Sequence, residues 1–359
     1  MNLPDHGANP HLLYEKAGME QPKRILDFSE NVHPFGPPAF IEESWAEMRG
    51  LIGRYPDPDA EPFRSAAANF HSVSAEQIAA ANGAAEVFTW LARRYRGKRV
   101  VLIEPAFSEY RKSLEAEQVE IKAVQLTAES GWHLPIDEIA RAVAGCAALY
   151  ICNPHNPTGV KARVEDLLQL AQRCREVGCE LVVDEAFIDF IGEQASIIPH
   201  LPEFPNLIVV RSMTKMYAIP GLRLGYVIAE APLLSELTKG AAHWNVNALS
   251  ANIGACCFSE FEYRDNVIRA ANRERQQMTE FLVEHGCLVT NAAANFLTFQ
   301  LPHPEQSEAF FTAMLKAGIV LRHTKSFCGM DGQWFRIGMK SEEQMKELRK
   351  EMANWLKGH

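Results

Sequence analysis

The residue with the most evident chemistry in this sequence is a lysine set among small polar neighbours at the end of an apolar run. The segment Arg211-Ser212-Met213-Thr214-Lys215-Met216-Tyr217-Ala218-Ile219-Pro220-Gly221-Leu222-Arg223-Leu224-Gly225-Tyr226 follows Leu207-Ile208-Val209-Val210. An amine so placed can condense with an aldehyde to form a Schiff base. Ser212 and Arg223 offer the hydroxyl and guanidinium that a phosphate takes. An isolated lysine of this kind is ordinarily a loop residue, but Lys215 has company. Asn153-Pro154-His155-Asn156-Pro157-Thr158-Gly159 follows one apolar run, and Asp184-Glu185-Ala186-Phe187-Ile188-Asp189-Phe190 closes another. Alone, the first is a turn-rich loop and the aspartate of the second a helix cap. All three stand where open α/β sheets gather their ligands, at the C-terminal ends of strands.

The elements that must carry these residues are legible as short β-branched runs. Arg99–Glu104, Ala148–Cys152, Leu181–Asp184 and Leu207–Arg211 read as buried strands. Between the second and third, Val164, Leu167, Leu168, Ala171, Cys174 and Val177 repeat at three-and-four spacing, and Gly178 stands at the C-cap. Continuous apolar strands alternating with amphipathic helices predict a parallel sheet covered on both faces. The last third predicts one long helix or two joined ones over 252–285, closed by Gly286. It then predicts a strand at Phe296–Phe299, a helix over 305–316, and short strands at Ile319–Arg322 and Trp334–Ile337. Ser341-x-x-Gln344 is a capping box, and Met345, Leu348 and Met352 form the stripe of a closing helix. These patterns divide the chain into an N-terminal arm (1–38) ending in the Pro-rich stretch 33–38, a large domain (39–240) and a small α+β domain (241–359).

With 36 Lys and Arg against 45 Asp and Glu, the 359-residue chain carries a formal charge of −9. Such a chain is a poor non-specific binder of nucleic acid or anionic membrane, so an anionic ligand must meet arginines placed locally. Neither a signal peptide nor a bilayer-length apolar run is present, which predicts a cytoplasmic protein with no membrane partner. The eight cysteines lack any Cys-x-x-Cys spacing and read as free buried thiols, with no metal site.

In order and spacing the three motifs resemble those of the fold-type I pyridoxal-phosphate enzymes of the class I/II aminotransferase family, over essentially the whole chain. The resemblance implies an α/β fold, with a mostly parallel central sheet between helices in the large domain and a smaller α+β C-terminal domain. It also implies a pyridoxal 5'-phosphate cofactor and a homodimer. By that resemblance, Lys215 holds the cofactor and transfers protons, Asp184 pairs with the pyridine nitrogen, and Asn156 donates to the ring hydroxyl oxygen. Phe107, in Glu104-Pro105-Ala106-Phe107-Ser108-Glu109-Tyr110, stacks on the ring. Gly83, Ala84 and Ala85 open a helix whose first amides cradle the phosphate, together with Ser212 and Arg223. Tyr55 reaches the phosphate across the dimer interface.

Within the family, His6-Gly7-Ala8-Asn9, Leu26-Asp27-Phe28-Ser29-Glu30-Asn31, Pro34-Phe35-Gly36 and Trp244-Asn245-Val246-Asn247-Ala248-Leu249 resemble the L-threonine O-3-phosphate decarboxylases of cobalamin biosynthesis. So does Phe187, where the aminotransferases of the group, including those acting on histidinol phosphate, carry a tyrosine. The expected ligand is then a small phosphorylated amino acid, clamped through its phosphate by Arg322 and Arg336. His6, Gly7, Asn31 and Asn156 would fix the rest of it. Two rival readings are a histidinol-phosphate-type transaminase and a regulator built on the same domain. About forty residues precede the large domain, too few for a typical DNA-binding domain.

Overall fold

The computed structural model describes residues 3–358. Among the described residues the chain forms thirteen strands. After β1 (Leu26–Asp27) come β2 (Ile78–Asn82), β3 (Arg99–Glu104), β4 (Glu120–Gln125), β5 (Ala148–Cys152), β6 (Glu180–Asp184), β7 (Leu207–Ser212) and β8 (Leu224–Ala229). The rest are β9 (Leu288–Val289), β10 (Phe296–Gln300), β11 (Ile319–Val320), β12 (Arg322–His323) and β13 (Trp334–Gly338). The helices used below are α1 (Pro10–Ala17), α2 (Phe63–His71), α3 (Ala84–Arg94), α4 (Ser108–Ala116), α5 (Val164–Glu176), α6 (Ala248–Cys257), α7 (Phe261–Glu284), α8 (Ser307–Lys316) and α9 (Glu342–Leu356).

Seven strands form the large sheet in the order β2-β8-β7-β6-β5-β3-β4. All its pairs are parallel except those of β8, which runs antiparallel to both β2 and β7. Strands β3, β5, β6 and β7 are apolar on both sides because both sides are covered. Val101, Ile103, Leu149, Ile151, Leu181, Val183 and Val209 face one buried cluster, whereas Val100, Leu102, Tyr150, Val182, Ile208 and Val210 face another. The register sets Cys152 beside Asp184 and Asp184 beside Val210. The ends of β5, β6 and β7, and the motifs that follow them, therefore converge at one edge.

A four-stranded antiparallel sheet, β12-β13-β10-β9, builds a second core with α8 and α9. The capping box opens α9 as predicted, the Ser341 hydroxyl accepting from the Gln344 amide. Of the two forms the sequence allowed for 252–285, the structure has the joined pair, α6 and α7, parted at Phe258–Glu260, where the Ser259 and Glu260 amides bond three residues back. Two features differ from the sequence reading. Ile319–Arg322 divides at Leu321: β11 pairs in parallel with β1, and β12 turns to β13. The arm holds a helix, α1, with proline in its first turn and Gly18 at φ +64° as its left-handed cap. Leu13 and Tyr14 seat it on the second core, the Tyr14 hydroxyl donating to the Leu315 carbonyl at 2.7 Å. The α6 helix and the first half of α7 contribute to the large core, and Met278 and Leu282 to the small one.

Candidate active site

A cavity of about 280 Å³ opens at the convergent strand ends. Its lining includes His6, Gly7, Asn31, Gly83, Ala84, Ala85, Phe107, Asn156, Asp184, Phe187, Ser212, Lys215, Arg223, Arg322 and Arg336. Every residue singled out in the sequence is thus on this wall except Tyr55. That ring is 82% exposed and lies 4.7 Å from the ring of Trp244.

Lys215 comes from the turn after β7, and its Nζ donates to the Ser212 hydroxyl at 3.0 Å. Burial pushes its pKa down, with Arg223 and Arg336 acting in the same direction and Asp184 opposing. Asp184 ends β6. Its Oδ1 accepts the Ala186 amide at 2.9 Å, and its Oδ2 accepts the hydroxyl of Tyr110. Burial raises this carboxyl, while Tyr110 and Lys215 pull it back. The Phe187 ring lies 5.5 Å from Lys215 Nζ and packs edge-on against Phe296.

On the other side of Lys215, α3 begins at the cavity wall. Its N-cap is Gly83 at φ +78°, and no side chain caps it. A Cβ at Gly83 would meet the Arg223 guanidinium at 2.8 Å, and one on Gly225 of β8 would meet the Ala84 amide nitrogen at 2.4 Å. Glycine at these two positions lets the first turn of α3, Arg223 and the hydroxyls of Ser212 and Thr214 crowd around one spot. Helix N-terminus, guanidinium and hydroxyls together offer the donors that a phosphate group takes.

The small sheet supplies the opposite wall. Register places Arg322 of β12 directly across from Arg336 of β13, and both are buried. Arg336 donates to Asn156 Oδ1 at 2.6 Å and to the Ser29 carbonyl at 2.9 Å. Arg322 donates to Ser326 Oγ at 2.6 Å and to the Asp5 carbonyl. None of these partners is a carboxylate. Burial pushes Arg322 down to about 10 and Arg336 down to about 9, where Arg322 adds its repulsion. Like charges opposite one another on a sheet, both desolvated, are unfavourable until an anion lies between them. Asn31 Oδ1 is also buried without a partner.

The N-terminal segment closes the mouth. Gly7 lies so near Ser29 that a Cβ would meet the Ser29 carbonyl oxygen at 2.4 Å. His6 bonds Glu109 at 2.8 Å, and Asp5 pairs with Lys112 at 3.1 Å. Asp5, Ser29, Tyr110, Ser326 and Phe327 were not foreseen as part of the site. Ser29 and Tyr110 sit within motifs already conspicuous in the sequence, but their contacts depend on elements far away in the chain. Among the described residues no His, Cys, Asp and Glu cluster could hold a metal, and no helix is long and apolar enough to cross a membrane.

The residues present fit a phosphorylated pyridine aldehyde: a half-buried lysine, a buried carboxylate for a ring nitrogen, and an uncapped helix end with an arginine for the phosphate. Comparison with known proteins agrees. Residues 23–352 match the family described as aminotransferase class I and II. The chain is 30% identical over 355 residues to a threonine-phosphate decarboxylase of Salmonella typhimurium, covering 98% of this chain and 97% of that protein. It is 31% identical over 320 residues to a histidinol-phosphate aminotransferase of Oleidesulfovibrio alaskensis, covering 87% and 82%. Its fold matches the histidinol-phosphate aminotransferase of Sinorhizobium meliloti, solved in complex with pyridoxal-5'-phosphate, with a TM-score of 0.87 at 20% identity over 97% and 94% of the two chains. With its family matched over nearly all its length and the chemistry of that family gathered in one cavity, this chain is a class I and II aminotransferase family enzyme whose cofactor is pyridoxal 5'-phosphate.

Proposed function

We propose that this enzyme decarboxylates L-threonine O-3-phosphate to (R)-1-aminopropan-2-yl phosphate, the aminopropanol arm of the cobalamin nucleotide loop. The observation that carries the reading is the buried pair Arg322 and Arg336, opposed across β12 and β13 without a carboxylate partner. A dianionic phosphate relieves their repulsion and accepts forked hydrogen bonds from both. The similarity to a threonine-phosphate decarboxylase along 98% of the chain supports the same substrate.

The cofactor, when bound, supplies an electron-withdrawing ring that accepts the electron pair left at Cα. Everything else falls to the chain. Asp184 holds a proton on the pyridine nitrogen, itself steadied by Tyr110 and the Ala186 amide. Asn156 would donate to the ring hydroxyl oxygen, and Phe107 would cover one face. Gly83, Ala84, Ala85, Ser212 and Arg223 seat the cofactor phosphate, with Tyr55 of one copy reaching the seat of a second in a homodimer. The bond that breaks must stand perpendicular to the ring. Arginines committed to the substrate phosphate leave the carboxylate free to take that position, with His6, Gly7 and Asn31 around it. The Cα–carboxylate bond would then break, CO2 would leave, and Lys215 would return to Cα the proton it had taken from the substrate ammonium. Burial favours the neutral amine, which lets Lys215 act as the base in the complementary proton transfer.

The second reading, transamination of histidinol phosphate, is favoured by the 31% identity to an aminotransferase of that substrate. Product analysis separates the two. O-phospho-L-threonine alone should yield CO2 and the amine, whereas transamination requires 2-oxoglutarate and yields a keto product.

A further inference from the structure

Phe107 and Asn156 reach the cavity from different loops, one after β3 and the other after β5. A buried side chain joins those loops. His155 Nε2 lies 2.8 Å from the Pro105 carbonyl oxygen, and its Nδ1 lies 2.7 Å from the Thr158 hydroxyl. The chemistry of the partners fixes the proton. A carbonyl only accepts, so Nε2 carries the hydrogen; Nδ1 must then accept, and the Thr158 hydroxyl donates to it. Thr158 Oγ1 in turn accepts the Val160 amide at 3.3 Å. The chain of bonds runs in one direction, from the β5 loop through the imidazole to the carbonyl two residues before Phe107. Burial pushes the His155 pKa down to about 4, so this neutral tautomer persists at ordinary pH.

We propose that His155 is a positioning residue which sets the gap between the Phe107 ring and the Asn156 amide, and thereby the slot that receives the pyridine ring. The assignment rests on the reading that Phe107 and Asn156 flank that ring. The loop is already anchored on its far side, where the Thr298 hydroxyl donates to the Pro157 carbonyl at 2.6 Å and Thr290 donates to the Thr158 carbonyl at 2.7 Å. The contact of His155 with Pro105 adds the bridge from this anchored loop to the β3 loop.

The test compares His155→Leu, His155→Gln, Thr158→Val and Asn156→Ala. Cofactor affinity is read by titrating the apoenzyme with pyridoxal 5'-phosphate, its orientation by visible circular dichroism, and folding by the melting temperature of the apoenzyme. His155→Leu should weaken cofactor binding about tenfold, the effect of one well-made buried hydrogen bond, and alter the visible dichroism. His155→Gln, with a donor for Pro105 and an acceptor for Thr158, should recover affinity to within about threefold. Should His155→Leu fail to fold, Thr158→Val removes the donor to Nδ1 and should shift the dichroism alone. A lowered melting temperature with unchanged affinity and dichroism would overturn the proposal, as would a Gln variant as impaired as Leu. Asn156→Ala separates the two levels. If it too leaves the dichroism unchanged, the underlying site reading fails; if only the His155 variants are silent, this inference fails alone.

Discussion

With its ammonium form penalised by burial, Lys215 reaches neutrality more readily than a surface lysine, as a base that takes and returns a proton requires. Borohydride reduction of the holoenzyme should fix the cofactor to the peptide containing Lys215, and Lys215→Ala should abolish that link and nearly all turnover. Label on a different lysine would contradict the assignment. Arg336 poses a finer question, because it touches Asn156 and faces Arg322 at once. If the pair clamps phosphate, Arg336→Ala should raise KM for O-phospho-L-threonine tenfold or more, since a charge-assisted contact is worth about 2 kcal/mol. Binding of plain threonine should hardly change. Arg336→Lys keeps the charge and loses the planar fork, so a bidentate clamp should fail there too. Equal losses for both amino acids would assign Arg336 to the carboxylate and favour transamination. Lys215 was readable beforehand because it sits in a motif at a strand end, whereas Arg336, in the middle of β13, was expected only from the family resemblance. Tyr110 lies in such a motif too, yet its bond to Asp184 spans 74 positions, and no local pattern encodes it.

At the scale of elements, strands β3, β5, β6 and β7 were legible because burial on both faces leaves them continuously apolar. Strand β2, Ile78-Ala79-Ala80-Ala81-Asn82, lacks that signature, since alanines tell little of strand or helix. The split of Ile319–Arg322 was invisible for a different reason. Both halves are apolar or buried, and only the partners, β1 and β13, distinguish them. That split positions Arg322 against Arg336. The α3–β8 contact is equally tertiary: Gly225 reads as a loose tail of the lysine motif until the helix end is seen lying on it. Gly225→Ala should therefore push the first turn of α3 away from β8. The expected result is a loss of affinity for pyridoxal 5'-phosphate of about tenfold, beyond any fall in apoenzyme stability, because contacts to a charged group are the ones disturbed. Equilibrium titration of the apoenzyme checks this, and unaltered affinity would remove the helix end from the phosphate seat.

The whole molecule carries net negative charge yet sets three cations on the wall of one cavity, half-buried Lys215 beside the large sheet and buried Arg322 and Arg336 on the small one. The phosphorylated substrate proposed above would thus be drawn by a local field rather than by the protein's overall charge. Away from this site, His71 illustrates how burial shapes acid stability. Its imidazole bonds the Tyr226 hydroxyl at 2.8 Å, and burial, aided by Arg211, depresses its pKa to about 3. The unfolded chain therefore binds a proton that the native state refuses between about pH 6.5 and 3, so His71's contribution is present above that window and lost as pH falls through it. Relative to His71→Gln, the wild type should lose about 1.4 kcal/mol of stability for each pH unit within the window, seen in denaturant titrations at successive pH values. A pH-independent difference would mean that the native state takes up the proton as readily as the unfolded chain. The central claim, that this family scaffold serves decarboxylation of a phosphorylated amino acid, is tested most directly by competition in one vessel. Carboxyl-labelled O-phospho-L-threonine, unlabelled histidinol phosphate and 2-oxoglutarate are supplied together, and labelled CO2 and glutamate are counted. The account predicts labelled CO2 matched one-for-one by 1-aminopropan-2-yl phosphate, with little glutamate; glutamate formation at the expense of histidinol phosphate, without labelled CO2, would contradict it.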